Sequence, residues 1–594
     1  MKYFIISLLI CFVGFWLLLF FGLCTLQADI VAQPQNHQPE KLVLAFYYPW
    51  YGTPPGSGKN ILGSVIGHWA EVDPEKKDIS NSRRYPQMGA YDSHDDAVLK
   101  QHCKWARQAG IDALIASWWG HGTYEDRAIP LILNACQESS LKCCIYYEIT
   151  PRATPETTAK DIIKVLRKYG DHPSYLRHKG QPVIFVFGRA LMQMGFHAWF
   201  EALKQIREQY PPGLIAIGDQ MSYACAKVFD GIHTYNTADQ LSDKSVIEVR
   251  SWTVRTYPKW VKLARQAGKI STLTVIPGYD DTKIRKPGLK VERFDGSLYE
   301  SQWKRVIAAG PDWILITSFN EWHEGSEIEP SLEHGEKYIE LTGRFSALFK
   351  SSKVVQPLSV QPYTTTEKER LRKKLSQLKI AVLPQPNSNA FWWLMDMTEQ
   401  MEVLSWEHLV EGKLRMAQYD MLLYCRGEDY VSTVSENRDV DKAISQYLSS
   451  GGTMLVLPDG PFPFFYDRGR KPVIRAEQFG LNIQMGWEKP PKGGPIFFVQ
   501  PQAKLLKHVP NRFAFPKTGD LRWRPFTKSE RYQKYTPLLQ LTDRQGKTYG
   551  DGICIAKDKN GGSIVYVWFG LLRGSHGQKI LFDLFDLMTN PPTR

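Results

Sequence analysis

Eight short apolar runs, rich in β-branched and aromatic residues, punctuate the chain between Lys41 and about Lys350. They are Val43 to Tyr48, Ala113 to Trp118, Cys144 to Ile149, Val183 to Phe187, Leu214 to Gly218, Gly231 to Tyr235, Thr272 to Pro277 and Trp313 to Phe319. Most are followed by a stretch that reads as helical. Runs such as VIFVF and WILITSF lack the polar alternation of a half-solvated strand and fit a parallel sheet covered on both faces. Eight β/α units in about 310 residues predict an α/β fold, a closed (β/α)8 TIM barrel spanning 41–350, with its chemistry at the carboxyl ends of the strands.

Those ends carry reactive and aromatic side chains. The first strand runs into YYPWYG (Tyr47 to Gly52), the second into SWWGHG (Ser117 to Gly122), the third into YYE (Tyr146 to Glu148) and the fourth into FGR. The fifth ends at Asp219 and Gln220, the sixth at Tyr235 and Asn236, the seventh at PGYDD (Pro277 to Asp281) and the eighth at SFNEWHEGSEIEP (Ser318 to Pro330). Arg189 and Asp219 are candidates for a mutual ion pair. The loop from Gly52 to about Asp96 is longer than a connection requires, so it is expected to form part of a cleft wall.

A composition shift follows the barrel. Residues 351–376 read as a linker that ends in the charged run KERLRKK, Lys368 to Lys374. From 377 to 594, KIAVLP, a helix around Phe391 to Met401, YDMLLYC, a helix around Val440 to Leu448, GGTMLVLPDG and SIVYVWFG alternate as the elements of a second, smaller open α/β sheet.

Ahead of the barrel, Tyr3 to Leu26 is almost wholly apolar and is preceded by Lys2. That length crosses a bilayer, so 1–28 reads as a signal anchor or signal peptide, a membrane partner for a chain whose remainder lies outside the cytoplasm. Cys11 and Cys24 lie in this segment. The other seven cysteines, Cys103, Cys136, Cys143, Cys144, Cys225, Cys425 and Cys554, are expected either as buried thiols or in one or two disulfides. Their spacing gives no zinc motif.

Composition narrows the function. The 594 residues are 43% hydrophobic and 23% charged, a folded globular range that excludes a disordered tail. A net charge of +13 is spread along the chain, and no nucleic-acid groove is expected from it. No G-x-G-x-x-G follows a strand, so dinucleotide binding is not expected. The 12% of aromatic residues is more informative, because many stand beside carboxylates and histidines. Sugar rings pack their C–H faces on aromatic planes while their hydroxyls need polar partners, so carbohydrate clefts interleave the two residue classes.

The sharpest local signal is NEWHEG, Asn320 to Gly325, which sets Glu321 and Glu324 at i and i+3 just beyond the eighth strand. Two neighbouring carboxylates do not both ionise cheaply. One is left as a base and the other as an acid, the division of labour that glycosidic cleavage needs. His323 would hold a hydroxyl or assist proton traffic, and Trp322 would supply a wall.

NEWHEG, together with YYPWYG, SWWG and YYE, closely resembles the family 99 glycoside hydrolases, the endo-acting α-mannosidases, over approximately residues 41 to 350. The resemblance implies retaining cleavage of internal α-mannosidic bonds in mannan or high-mannose glycans, without metal or cofactor, through a 1,2-anhydro sugar formed by the substrate's own 2-hydroxyl. It implies that Glu321 is the base on that hydroxyl and Glu324 the general acid/base. It further implies that Tyr48, Trp118, Glu148 and Tyr235 line the cleft, with Tyr279, His323, Trp119 and His121 as additional candidates. His68 and Trp69 also look like the family.

The second sheet resembles the flavodoxin-like, glutamine-amidotransferase-like domains appended to glycosidases. Cys425 lacks the glycine before it that a nucleophilic turn needs, which implies a non-catalytic accessory role. The alternatives are a glycan-processing enzyme of polysaccharide biosynthesis, whose barrel carries an N-E-W-x-E-G-like segment, and a non-catalytic, membrane-tethered glycan-binding protein.

Overall fold

In the computed structural model, the described residues are 40–52, 69–352, 362–430, 433–435, 438–467, 471–483, 488–502, 505–516 and 521–589. The apolar segment Tyr3 to Leu26, with Cys11 and Cys24, lies outside them, as does His68. Among the described residues no helix is long and apolar enough to cross a membrane.

All eight apolar runs are strands of one sheet: β1 (Leu42–Tyr47), β2 (Ala113–Trp118), β3 (Lys142–Tyr147), β4 (Gln181–Val186), β5 (Ile215–Asp219), β6 (Gly231–His233), β7 (Ile270–Val275) and β8 (Trp313–Ile316). Neighbours are parallel throughout, in the order β3-β2-β1-β8-β7-β6-β5-β4. The pairing of β3 with β4, Ile145 opposite Ile184, closes the barrel. The strands are buried on both faces, which is why their sequences read as continuous apolar runs.

A helix follows each strand: α1 (Asp96–Gln108), α2 (Tyr124–Glu138), α3 (Pro155–Tyr169), α4 (Phe196–Gln209), α5 (Tyr223–Val228), α6 (Val246–Gln266), α7 (Ser297–Ala309) and α8 (Lys337–Ser351). Local chemistry starts most of them. Asp95, Thr123, Thr154, Ser222 and Ser245 each accept a backbone N–H of the first turn, and Ser245 forms a reciprocal capping box with Glu248.

The expected linker holds a helix. The charged run lies in α9 (Thr365–Leu375), started by a Thr364–Glu367 capping box and packed through buried Leu371 and Leu375. Beyond it a second sheet of nine strands forms: β9 (Ile380–Val382), β10 (Met401–Val403), β11 (Met421–Tyr424), β12 (Thr453–Val456), β13 (Phe497–Val499), β14 (Arg512–Ala514), β15 (Tyr532–Thr542), β16 (Thr548–Asp558) and β17 (Ser563–Val567). Their order is β10-β9-β11-β12-β17-β16-β15-β13-β14. The first five are mutually parallel, and the other four extend the sheet as antiparallel strands. The helix expected over Phe391 to Met401 is the shorter α10 (Asn389–Met395), because Met401 already belongs to β10.

From Lys41 onward the chain packs as one compact unit. The second sheet meets the barrel through α10. Asn387 Oδ1 accepts the Phe196 N–H at 3.0 Å, Asn389 Oδ1 accepts the Ala224 N–H at 3.2 Å, and the Tyr223 hydroxyl donates to Asp396 at 3.0 Å. Gly195, left-handed at φ 77°, permits the first of these, since a Cβ there would lie 2.9 Å from Asn387 Oδ1. All seven cysteines among the described residues are buried and unpaired thiols, the nearest two being Cys103 and Cys136 with 3.9 Å between sulfurs.

Candidate active site

Beyond β8 the chain doubles back tightly. The Ser318 N–H donates to the Ser326 carbonyl at 2.8 Å and the Gly325 N–H to the Trp322 carbonyl at 3.3 Å, so NEWHEG is a compact turn at the carboxyl edge of the barrel. Two arginines clamp its return. Buried Glu327 pairs with Arg84 and, at 2.8 Å, with Arg293, and both guanidinium groups also donate to the Gly325 carbonyl. Gly325 is left-handed at φ 58°, and a Cβ there would meet Arg84 at 3.0 Å and the Asp280 nitrogen at 3.2 Å.

Asn320 ties the turn to the first strand. Its Oδ1 accepts the Tyr48 N–H at 2.7 Å and its Nδ2 donates to the Tyr48 carbonyl at 3.0 Å. The described part of the long first loop packs behind this join. Trp69 stacks on Tyr51, whose hydroxyl donates to the Asn320 carbonyl at 2.9 Å, and Tyr91 donates to buried Glu329 at 2.8 Å.

The two glutamates of the turn differ. The Glu321 side chain is 3% exposed and its carboxylate accepts the His323 N–H at 3.1 Å, with the imidazole Nδ1 at 3.3 Å. Glu324 is 14% exposed, and its two oxygens take different partners, Arg285 Nη1 and the Tyr235 hydroxyl, each at 3.0 Å. Burial and the charge of Glu321 push the Glu324 carboxyl up, and Arg285 opposes the shift.

Tyr48 brings the cluster together. Its hydroxyl is held well above its ordinary pKa by burial and by the charges of Glu148, Glu321 and Glu324, and its ring lies 6.3 Å from that of Tyr235. Glu148 is 3% exposed and accepts the Ser117 hydroxyl at 2.8 Å, and burial raises its carboxyl to about 8. Tyr279 donates to Asp281 at 3.1 Å and accepts Arg285 at 2.8 Å, which places it beside Glu324. Tyr48, Glu148, Tyr235, Tyr279, Glu321, His323 and Glu324 thus share one mouth, together with Arg285.

Trp118 does not share it. Successive side chains of a strand point to opposite faces. Ser117 faces the mouth, and Trp118 faces the helices, fully buried, its Nε1 donating to Asp126 of α2 at 2.8 Å. Its neighbour Trp119 instead donates to Ser117 at 3.0 Å, under the guanidinium of Arg189. Trp322 is likewise buried, donating to Glu329 at 3.0 Å, and is no wall. His121 sits against Trp118 and, at 3.3 Å, Asp161. Asp219 does not pair with Arg189. It accepts the backbone N–H groups of Gly188 and Tyr235, each at 3.0 Å, and burial raises it to about 6. Among the described residues no cluster of three or more His, Cys, Asp or Glu side chains is placed to hold a metal ion.

The profile of glycosyl hydrolase family 99 matches residues 39–342, just over half of the chain. The chain belongs to glycosyl hydrolase family 99. Similar proteins include a glycoprotein endo-alpha-1,2-mannosidase of Rattus norvegicus, 27% identical over 368 residues that cover 54% of this chain and 77% of the relative. A glycoprotein endo-alpha-1,2-mannosidase-like protein of Homo sapiens is 28% identical over 361 residues, covering 52% and 76%. A solved GH99 endo-alpha-mannosidase from Bacteroides thetaiotaomicron is 26% identical, covers 52% of this chain and 98% of that one, and superposes with a TM-score of 0.44. This family 99 chain is a glycoside hydrolase.

Within this family 99 site, sequence reasoning missed Arg285, which lies in a loop 39 residues before Glu324 and has no periodic signal. It also missed the arginine clamp on Glu327. Asn320 stood in the motif, yet its grip on β1 becomes visible only when the two strands meet.

Proposed function

We propose that this family 99 hydrolase is an endo-acting α-mannosidase that cleaves internal α-mannosidic bonds of mannan or high-mannose glycans with retention, through a 1,2-anhydro sugar. The carrying observation is the unequal surroundings of the two glutamates. Burial beside the charge of Glu321 favours the protonated form of Glu324, while Glu321 accepts the His323 N–H. The similarity to the endo-alpha-1,2-mannosidase relatives supports the substrate class.

In the first step Glu321 takes the proton of the 2-hydroxyl, and that oxygen attacks C1 from the face opposite the glycosidic bond. The C1–O bond breaks and Glu324 delivers its proton to the leaving oxygen. In the second step Glu324, now ionised, takes a proton from water. The water oxygen attacks C1, the three-membered ring opens, and Glu321 returns its proton to the 2-oxygen. Two inversions give retention. Arg285 and Tyr235 stabilise the ionised Glu324 that the second step requires.

We read the second sheet as a flavodoxin-like accessory module. The order of its parallel strands supports this, because second-first-third-fourth-fifth is a doubly wound order. A non-catalytic role is supported by Cys425, fully buried with a thiol pushed up to about 12. Export behind the Tyr3 to Leu26 segment completes the reading.

The test is product analysis. Purified chain is incubated with α-1,6-mannan side-chain oligosaccharides and with a glucosylated high-mannose glycan, beside Glu324→Gln. Internal fragments from the wild type and none from the variant are expected. Release of single terminal sugars only, or no cleavage by folded protein, would overturn the proposal.

A further inference from the structure

Against the hairpin that pairs Tyr279 with Val291 and Asp280 with Lys290 lies a cavity of about 440 Å³ that the reaction above does not use. Phe294 stands at its wall, 43% exposed. Its backbone is left-handed at φ 44°, followed by Asp295 at φ 51° and Gly296 at φ 92°. A bulky residue is disfavoured in that region, and glycine or asparagine would sit more easily.

The turn nevertheless is fixed from both sides. Buried Arg293 bonds Glu327 at 2.8 Å, Asp295 pairs with Lys337 of α8, and the Ser297 hydroxyl donates to the Phe294 carbonyl at 2.7 Å. Strain that surrounding contacts over-determine is typical of ligand clamps. Here it holds an apolar ring in water.

The rest of the wall joins apolar and polar surface, and its charges are of mixed sign: Arg84, Lys290 and Arg293 stand against Asp280, Glu292 and Asp295, so the lining favours neither an anion nor a cation. It offers donors and acceptors beside an aromatic face, which suits the hydroxyls and C–H face of a neutral sugar. The cavity also adjoins the catalytic turn. Tyr279 lines it while sharing Arg285 with Glu324, and the Asp280 N–H donates to the Glu324 carbonyl at 2.7 Å.

We infer that this cavity is an accessory saccharide subsite, in which Phe294 stacks on a pyranose ring of a neutral oligosaccharide whose other end lies at Glu321 and Glu324. The inference rests on the reading of the chain as acting on glycans. It adds that longer chains are selected away from the point of cleavage.

The test measures binding, so that it stands apart from turnover. In the Glu324→Gln background, α-mannobiose and α-mannotetraose are titrated calorimetrically, with Phe294 intact, as Phe294→Asn and as Phe294→Tyr. Asparagine accepts the left-handed backbone and removes the ring, whereas tyrosine keeps it. The preference for tetraose over biose is expected to fall roughly five- to tenfold in Phe294→Asn and to persist in Phe294→Tyr. An unchanged preference in Phe294→Asn, an equal loss in Phe294→Tyr, no preference with Phe294 intact, or no saccharide binding would overturn the subsite. A preference that depends on the ring, in a protein whose wild type cleaves nothing, would keep the subsite and overturn the mannosidase reading.

Discussion

At the carboxyl edge of the barrel, Glu148, Asp219, Glu321 and Glu324 all stand at one mouth, and burial pushes three of their carboxyl groups, those of Glu148, Asp219 and Glu324, upward. At the carboxyl edge of the second sheet, the loop after β9 folds over β11. The Asn387 and Ser388 N–H groups donate to the Cys425 carbonyl at 2.7 and 2.9 Å, and Asn387 then reaches α4 of the barrel. Both edges are formed by parallel strands, of the whole barrel in one case and of the parallel half of a mixed sheet in the other. The first gathers ionisable side chains and shifts them by burial, whereas the second spends its polar groups on its own backbone and on attachment. Parallel topology supplies a favourable edge, and the side chains decide whether it becomes a site.

The comparison breaks most sharply at the acid. Glu324→Gln is expected to lower kcat by about 10²–10⁴-fold on any cleaved glycan, measured at unchanged far-UV circular dichroism. Glu148 gives the next effect. Its folded pKa of about 8 exceeds the ordinary 4.5, so the folded state binds the extra proton between those values and stability falls as pH rises through that window. Glu148→Gln should remove that slope and raise the denaturation midpoint at pH 8, while weakening turnover. An unchanged pH dependence of stability would show that Glu148 is not the buried acid described.

Arg285→Gln sharpens the same edge. Loss of the guanidinium lets the Glu324 carboxyl rise further, so the basic limb of the kcat/KM profile moves to higher pH, and Arg285→Lys should restore part of the original position. On the other edge, Asn387→Ala removes the acceptor of the Phe196 N–H at the start of α4 and should cost about 1 kcal/mol in denaturant unfolding with kcat nearly unchanged. Cys425→Ala gives the smallest effect, turnover within about twofold, because a buried thiol at the attached edge takes no part in the chemistry.

The barrel was legible because a parallel strand buried on both faces writes itself as a continuous apolar run. The runs overshot the strands at Tyr48, Tyr235 and Phe319, where apolar or aromatic residues continue past the last ladder pairing, Tyr48 and Tyr235 into the mouth and Phe319 against His102 of α1. The carboxylate pair was legible because both members sit in one short turn. Trp118 misled because adjacent tryptophans on a strand face opposite ways and composition does not say which faces in. Arg285, Arg84 and Arg293 left no local trace, since their meaning comes from partners far along the chain. In the second sheet, the β15–β16 hairpin escaped notice because Pro537 interrupts β15 and its register shifts repeatedly.

The amide of Asn320 grips the backbone of Tyr48 across 272 positions of sequence. Such a contact cannot form early. It must wait for β8 to dock, and the entropy of closing so long a loop is recovered only when the cylinder is complete. During synthesis the ribosome releases Tyr48 and Glu148 long before NEWHEG exists, so catalytic competence arrives in one step, with the last strand. A chain cut short before Trp313 would carry most of the aromatic residues of the mouth without the strand that brings them together.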